Sequence, residues 1–232
     1  RKTRLERGLA KLTIDDARSL ARDQSPGARA ETAAKLALQF NSGFSAAEFA
    51  IAEEILRIMV HDAEVRVREA LSANLKSNPK LPHDVALALA KDVESVALPM
   101  LSACEVLTAD DLLAIVKSQA TGSRLDAIAG RRHVQAPVAA AIVEVAREPV
   151  VAKLVANPGA EIAEPTLHRV IDRFGESEAV QEPMIQRATL PVTIAERLVN
   201  CVADHLRGHL LAKHGISADV RSEEHTSELQ SH

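Results

Sequence analysis

Three histidines late in the chain have spacing that could suit a metal. Asp204-His205 and His209 lie one helical turn apart, which sets two imidazoles on one face with His214 nearby. A zinc centre needs a third and a fourth converging ligand, and no Glu falls between His205 and His209, so the metalloprotease arrangement is absent. These side chains are expected to form a polar stripe without a metal. The carboxylate pairs Glu53-Glu54 and Asp110-Asp111 are adjacent in sequence. Adjacent residues on a helix point roughly a quarter turn apart, so neither pair can share a proton or grip one substrate. Cys104 has Leu101 and Leu107 for company and no His or Asn at a defined spacing, the setting of a buried structural thiol. No Gly-x-Ser-x-Gly elbow and no glycine-rich phosphate loop occurs. No catalytic residue, cofactor site or metal site is therefore assigned, and the chain is expected not to be an enzyme.

The remaining chemistry is cationic. Arg131-Arg132-His133 is the densest internal basic cluster, and Arg66 with Arg68 projects from an earlier segment. Arg66, Arg68, Arg131 and Arg132 would contact a nucleic acid or a protein partner if they lined one face, since phosphate binding draws its affinity from several such cations. Two features disfavour nucleic acid: the formal charge is −4, and Trp and Tyr are absent, leaving no stacking platforms for bases. Arg131 has a structural alternative as a cap on the carbonyls at the end of its own helix. The opening Arg1, Lys2, Arg4, Arg7 and Lys11 alternate with Leu5, Leu9 and Leu12 at helical spacing, which reads as a solvated helix face.

At 232 residues and 47% hydrophobic content the chain can bury a substantial core. Alanine is about one residue in six, which favours closely approaching helices. No apolar run nears the ~20 residues of a membrane span, so no membrane partner is expected. Two isolated cysteines, Cys104 and Cys201, suit a reducing, cytoplasmic setting. The final twelve residues, 221–232, resemble a translated sequencing adapter and are read as an artefactual, disordered tail; without them the charge becomes 27 − 29 = −2. The lack of an initiating Met suggests truncation at the other end as well.

These residues must be carried by helices, because helical periodicity runs end to end and period-2 alternation is never sustained. Ser45-Ala-Ala-Glu48 is a capping box ahead of Phe49, Ala52, Ile55, Leu56 and Met59, and Thr108-Ala-Asp-Asp111 is a second such start. Asp62 is placed to cap a helix carrying Val67, Leu71 and Leu75. Pro82, Pro137, Pro149 and Pro191 mark further starts, Pro99 falls inside a segment, and Thr121-Gly122-Ser123, Asn157-Pro158-Gly159, Gly175 and Gly215 read as stops. A turn residue followed by a pair of short helices recurs around Asp23, Asp62, Asp92, Arg124 and Glu148, at the spacing of stacked helix pairs. Connections of a few residues force sequential helices to pack antiparallel. The expected architecture is all-α, an α-solenoid of stacked antiparallel helix pairs forming one domain over 1–220, with a soft joint near 41–44.

Leu81-Pro82, Leu89-Ala90-Lys91-Asp92, Val96-Ala97-Leu98-Pro99, Leu107-Thr108 with Asp111-Leu112-Leu113, Ala129 with Arg131, Val151 with Leu154 and Asn157, and Leu190-Pro191 stand in an order that resembles the bacterial family catalogued as domain of unknown function 2336. The resemblance implies an α-helical, HEAT-like fold and supplies no catalytic residue. A curved helical array with no converging acid, base or nucleophile points to a non-enzymatic interaction or scaffold module with a protein partner. The alternative is a nucleic-acid-binding or DNA-glycosylase-like module using the four arginines.

Overall fold

Isolated helices shorter than about 12–15 residues are marginal in water, so short helices persist only where neighbours cover their apolar faces. That condition governs this protein. The computed structural model describes residues 25–42, 44–118 and 121–201. The basic segment 1–11, the histidines at 205, 209 and 214, and the tail 221–232 lie outside the described residues. The chain divides into two compact units, Arg1–Arg131 and Arg132–His232.

Twelve helices and no strand occur among the described residues. The first unit holds α1 (Pro26–Ser42), α2 (Ala46–Met59), α3 (Val65–Leu75), α4 (His83–Ala90), α5 (Glu94–Ala103), α6 (Ala109–Ser118) and α7 (Gly122–Ala129). Within it α1 packs on α3, α3 on α5 and α5 on α7, while α2 touches α1 and α4. The second unit holds α8 (Ala136–Val145), α9 (Glu148–Ala156), α10 (Glu164–Phe174), α11 (Glu178–Gln186) and α12 (Val192–Cys201). There α9 packs on α11, α8 on α10 and α10 on α12. All but α6, which touches α7, thus pack on a second neighbour. Leu36, Phe40, Leu56, Leu71, Leu75, Leu89, Met100, Leu101, Ile115 and Ile128 are fully buried in the first unit, as are Ile142 and Leu154 in the second.

Local chemistry explains most helix starts. The Ser45 amide donates to Glu48 Oε2 at 2.9 Å and the Glu48 amide donates to Ser45 Oγ at 3.4 Å, closing the capping box. Thr108 and Asp111 form the same reciprocal pair at 2.8 and 3.2 Å. Pro137, Pro149 and Pro165 occupy the first turns of α8, α9 and α10, where a missing N–H leaves no bond unmade. Pro99 and Pro183 sit inside α5 and α11.

Four local expectations change. Thr121-Gly122-Ser123 begins α7: Thr121 Oγ1 accepts the Arg124 amide at 3.4 Å. Asp62 is not an N-cap, because Glu64 takes that position and the Asp62 carboxylate turns to Arg29. Pro82 stands one residue outside its helix as the N-cap. Helix α11 has no counterpart in the sequence reading, since Glu178, Gln181, Glu182, Pro183 and Gln186 dilute its pattern, yet Val180, Met184 and Ile185 bury 99% of their surface. Gly122 has open space where a Cβ would sit. Gly122→Ala is expected to stabilise the first unit by about 0.5 kcal/mol through helix propensity, read as a small rise in urea midpoint with unchanged slope.

Candidate functional site

Most of the polar side chains that cross between helices are arginines, and those that reach carbonyls follow a rule. A guanidinium has five N–H donors in a planar fork, so one side chain can satisfy several carbonyls left open at a helix end. Arg131 is 7% exposed; its Nη1 donates to the Leu101 carbonyl at 2.6 Å and its Nη2 to the Cys104 carbonyl at 2.7 Å, at the C-terminal end of α5. Arg124 does the same to Ala90 at 3.3 Å and to the Asp92 carbonyl, behind α4. In the second unit Arg173 donates to the carbonyls of Val143 and Ala146, at the end of α8. Arg187 donates to Val155 at 2.8 Å, Asn157 at 3.4 Å and Ala160 at 2.9 Å, behind α9. Each cation also meets the negative end of a helix dipole.

A second set of bridges ends on carboxylates. Arg29 donates to both Asp62 oxygens at 2.8 and 3.1 Å. Arg68 grips Asp92, with Nη2 at 2.9 Å from Oδ1, and also donates to the Asp62 carbonyl. The result is a polar chain from α1 to α7 through Arg29, Asp62, Arg68, Asp92 and Arg124.

Of the four arginines proposed as contacts, Arg68 and Arg131 are therefore engaged inside the first unit. Arg66 on α3 and Arg132 at the start of the second unit are exposed. Arg131 caps carbonyls, but those of α5 and not of its own helix. Cys104 is fully buried, and that burial pushes its thiol up. Burial likewise lowers Arg131 from the usual arginine value, opposed by the charges of Cys104 and Glu105. Asp110 is exposed while Asp111 holds the start of α6 and meets His83 Nε2 at 2.7 Å, so the two neighbours have separate roles. Among the described residues no cluster of three His, Cys, Asp or Glu could hold a metal.

Two open cavities occur in the second unit. One of about 540 Å³ lies between the ends of α9 and α11, against Val155, Pro158, Pro183 and Arg187; the Arg187 guanidinium beside it already bonds three carbonyls. The other, about 740 Å³, is bounded by Asp172, Arg173, Phe174, Arg197 and Cys201. Its cations are paired, Arg197 with Asp172 at 2.7 Å and Arg173 with the α8 carbonyls and the Phe174 ring, and Glu148 and Glu176 complete its charged lining. No helix is long and apolar enough to cross a membrane among the described residues.

The model of a family described as uncharacterised protein conserved in bacteria, DUF2336, matches residues 96–229, more than half of the chain. The chain belongs to the DUF2336 family. The match starts within α5, so the Leu81-Pro82 and Leu89-Ala90-Lys91-Asp92 segments precede it, and its last positions overlap the segment read as adapter. Within the DUF2336 span fall the acceptors and donors of the Arg131, Arg173 and Arg187 bridges. No curated protein matches the chain, and no solved structure does.

The arginine-to-carbonyl bridges were the part that sequence reasoning missed. A usable signal exists: each donor follows its acceptor by 27 to 34 residues, about one helix pair, from Ala90 to Arg124 and from Cys104 to Arg131.

Proposed function

We propose that this protein is a non-enzymatic scaffold module, a HEAT-like α-solenoid segment that binds a protein partner. The observation that carries the reading is the second-neighbour stacking of short helices, tied by arginine bridges from one helix pair to the next. That construction suits a long, repetitive surface, which is what stacked helix pairs offer to partners. The polar side chains best placed for chemistry act as structural ties: Arg68, Arg124, Arg131 and Arg187 bond helix ends, and Cys104 is buried. The function rests on the fold class and not on an assembled site.

The nucleic-acid reading retains Arg66 and Arg132 as exposed cations, one in each unit. Affinity capture with the full chain separates the two. The scaffold reading expects one protein recovered near equimolar ratio, resistant to nuclease, with binding that falls by no more than about threefold between 50 and 200 mM salt. Labelled single-stranded or duplex DNA bound tightly, with affinity dropping steeply over the same salt range and on Arg66→Ala or Arg132→Ala, overturns it.

A further inference from the structure

Both units carry arginine bridges to backbone carbonyls, Arg124 and Arg131 in the first and Arg173 and Arg187 in the second, but the first adds bridges that end on little-exposed carboxylates. In the first, Arg29 ends on Asp62 at 2.8 Å, Arg68 on Asp92 at 2.9 Å, Arg57 on Asp84 at 2.8 Å and His83 on Asp111 at 2.7 Å. The side chains of Asp62, Asp92 and Asp111 are each only 13% exposed. In the second unit the part-buried bridges of Arg173 and Arg187 end on backbone carbonyls, Arg197 meets His168 Nδ1 at 2.9 Å between side chains 41% and 35% exposed, and the carboxylate pairs Arg169–Glu144 and Arg197–Asp172 are 41–54% exposed. Carboxylates take up protons between neutral and acid pH; amide carbonyls do not. Exposed pairs also contribute little, because water screens them.

We propose that the first unit is an acid-labile element of this protein, opening at a pH where the second remains folded. The groups around each carboxylate favour this direction. Asp62 is faced by Arg29 of α1 and Arg68 of α3 and accepts the Glu64 amide at 2.9 Å. Asp92 is faced by Arg68 of α3 and Arg124 of α7 and accepts the Val93 amide at 2.7 Å. Asp111 is faced by His83 of α4 and by Thr108. Asp84 is faced by Arg57 of α2, which Glu53 and Glu54 share, but at 60% exposed it adds as little as the exposed pairs of the second unit. Protonating Asp92 leaves the Arg68 guanidinium, itself 13% exposed, without its counter-charge.

The sign follows from linkage. The hydrogen bond from Arg29 holds Asp62 below the usual carboxylate range. Burial alone would raise Asp92 and Asp111, but their partners outweigh it and both are lowered. A carboxyl lowered in the folded state stabilises above its unfolded value, near 4, and that stabilisation is lost as pH falls through the lower folded values. In the second unit Asp172 is lowered by the hydrogen bond from Arg197, with Arg169 and His168 also facing it, but the Arg197 and Asp172 side chains are 41% and 48% exposed.

Hydrogen exchange with mass spectrometry on the full chain, from pH 7 down to 2.5 and corrected for intrinsic rates, reads each unit separately. Peptides from α3, α5 and α7 are expected to lose protection about tenfold or more at a pH where those from α9 and α11 keep theirs. Asp92→Asn is expected to reduce protection in α3, α5 and α7 at pH 7 and to flatten their pH dependence. The wild-type profile decides the matter even if that variant does not fold: loss of protection in both units together, or in the second unit first, overturns the proposal.

Discussion

Arg131→Met lowers the stability of the first unit by about 3–5 kcal/mol, the largest effect expected of a single polar substitution here. Methionine keeps the unbranched apolar stem and ends short of the guanidinium, so the change removes the donors together with the volume they fill. Two carbonyls, Leu101 and Cys104, lose donors that stand at 2.6 and 2.7 Å, in surroundings where Leu101 and Cys104 are fully buried. Leaving two buried acceptors at the negative end of α5 without donors is more expensive than losing two exposed hydrogen bonds. Against a total of about 5–15 kcal/mol for a domain this is a major fraction, and the melting temperature of the first unit falls by roughly 15–30 °C. Arg131→Lys restores part of the loss, since a single ammonium keeps the charge but cannot reach both carbonyls as a planar fork does. Thermal unfolding followed by circular dichroism measures both. A drop below about 1 kcal/mol for Met means water has replaced the guanidinium at that helix end, and the bridge is then not a structural tie.

Gly159→Ala acts on the second unit by sterics alone. A Cβ there meets the Arg132 carbonyl oxygen at 1.9 Å and its carbon at 2.9 Å, both backbone atoms that cannot swing away as a side chain does. The segment is held close by two hydrogen bonds, Val134 N to Gly159 O at 3.0 Å and Glu161 N to Val134 O at 2.9 Å, which form an isolated parallel bridge. Val134 is fully buried and Ala160 nearly so, while Arg187 holds the carbonyls of Asn157 and Ala160. Making room for one methyl group must break the bridge and pull on the Arg187 fork, at about 3 kcal/mol or more. Urea unfolding is the check, with Gly122→Ala as the matched control because the same methyl there meets open space. Equal midpoints for the two variants would sink this account.

Helix starts were the most legible features because their chemistry is local. Ser45 with Glu48 and Thr108 with Asp111 carry donor and acceptor three residues apart, within one turn, and both close as expected. Asp62 and Asp92 were recognised as turn residues, yet their carboxylates bond arginines 33 and 24 residues away. Within one turn an aspartate looks like a cap, and a partner a helix pair away leaves no mark beside it. Helix α11 escaped notice for the opposite reason: its apolar residues are few, and packing of Val180, Met184 and Ile185, together with Gln181 donating to the Gly175 and Cys201 carbonyls, holds it in place.

The sequence by itself determined the all-helical class and most breaks between helices, properties of residue type at separations of a few positions, and, through motifs in a set order, membership of the DUF2336 family. Only the tertiary structure decided where the guanidinium groups go: Arg131 inward to α5, Arg68 to Asp92, Arg66 and Arg132 outward. The physical reason is that a backbone carbonyl is the same acceptor in every residue, so nothing in residue type announces which one a distant arginine will reach. Proximity in the folded chain makes that choice, and with it decides which cations remain available to a partner.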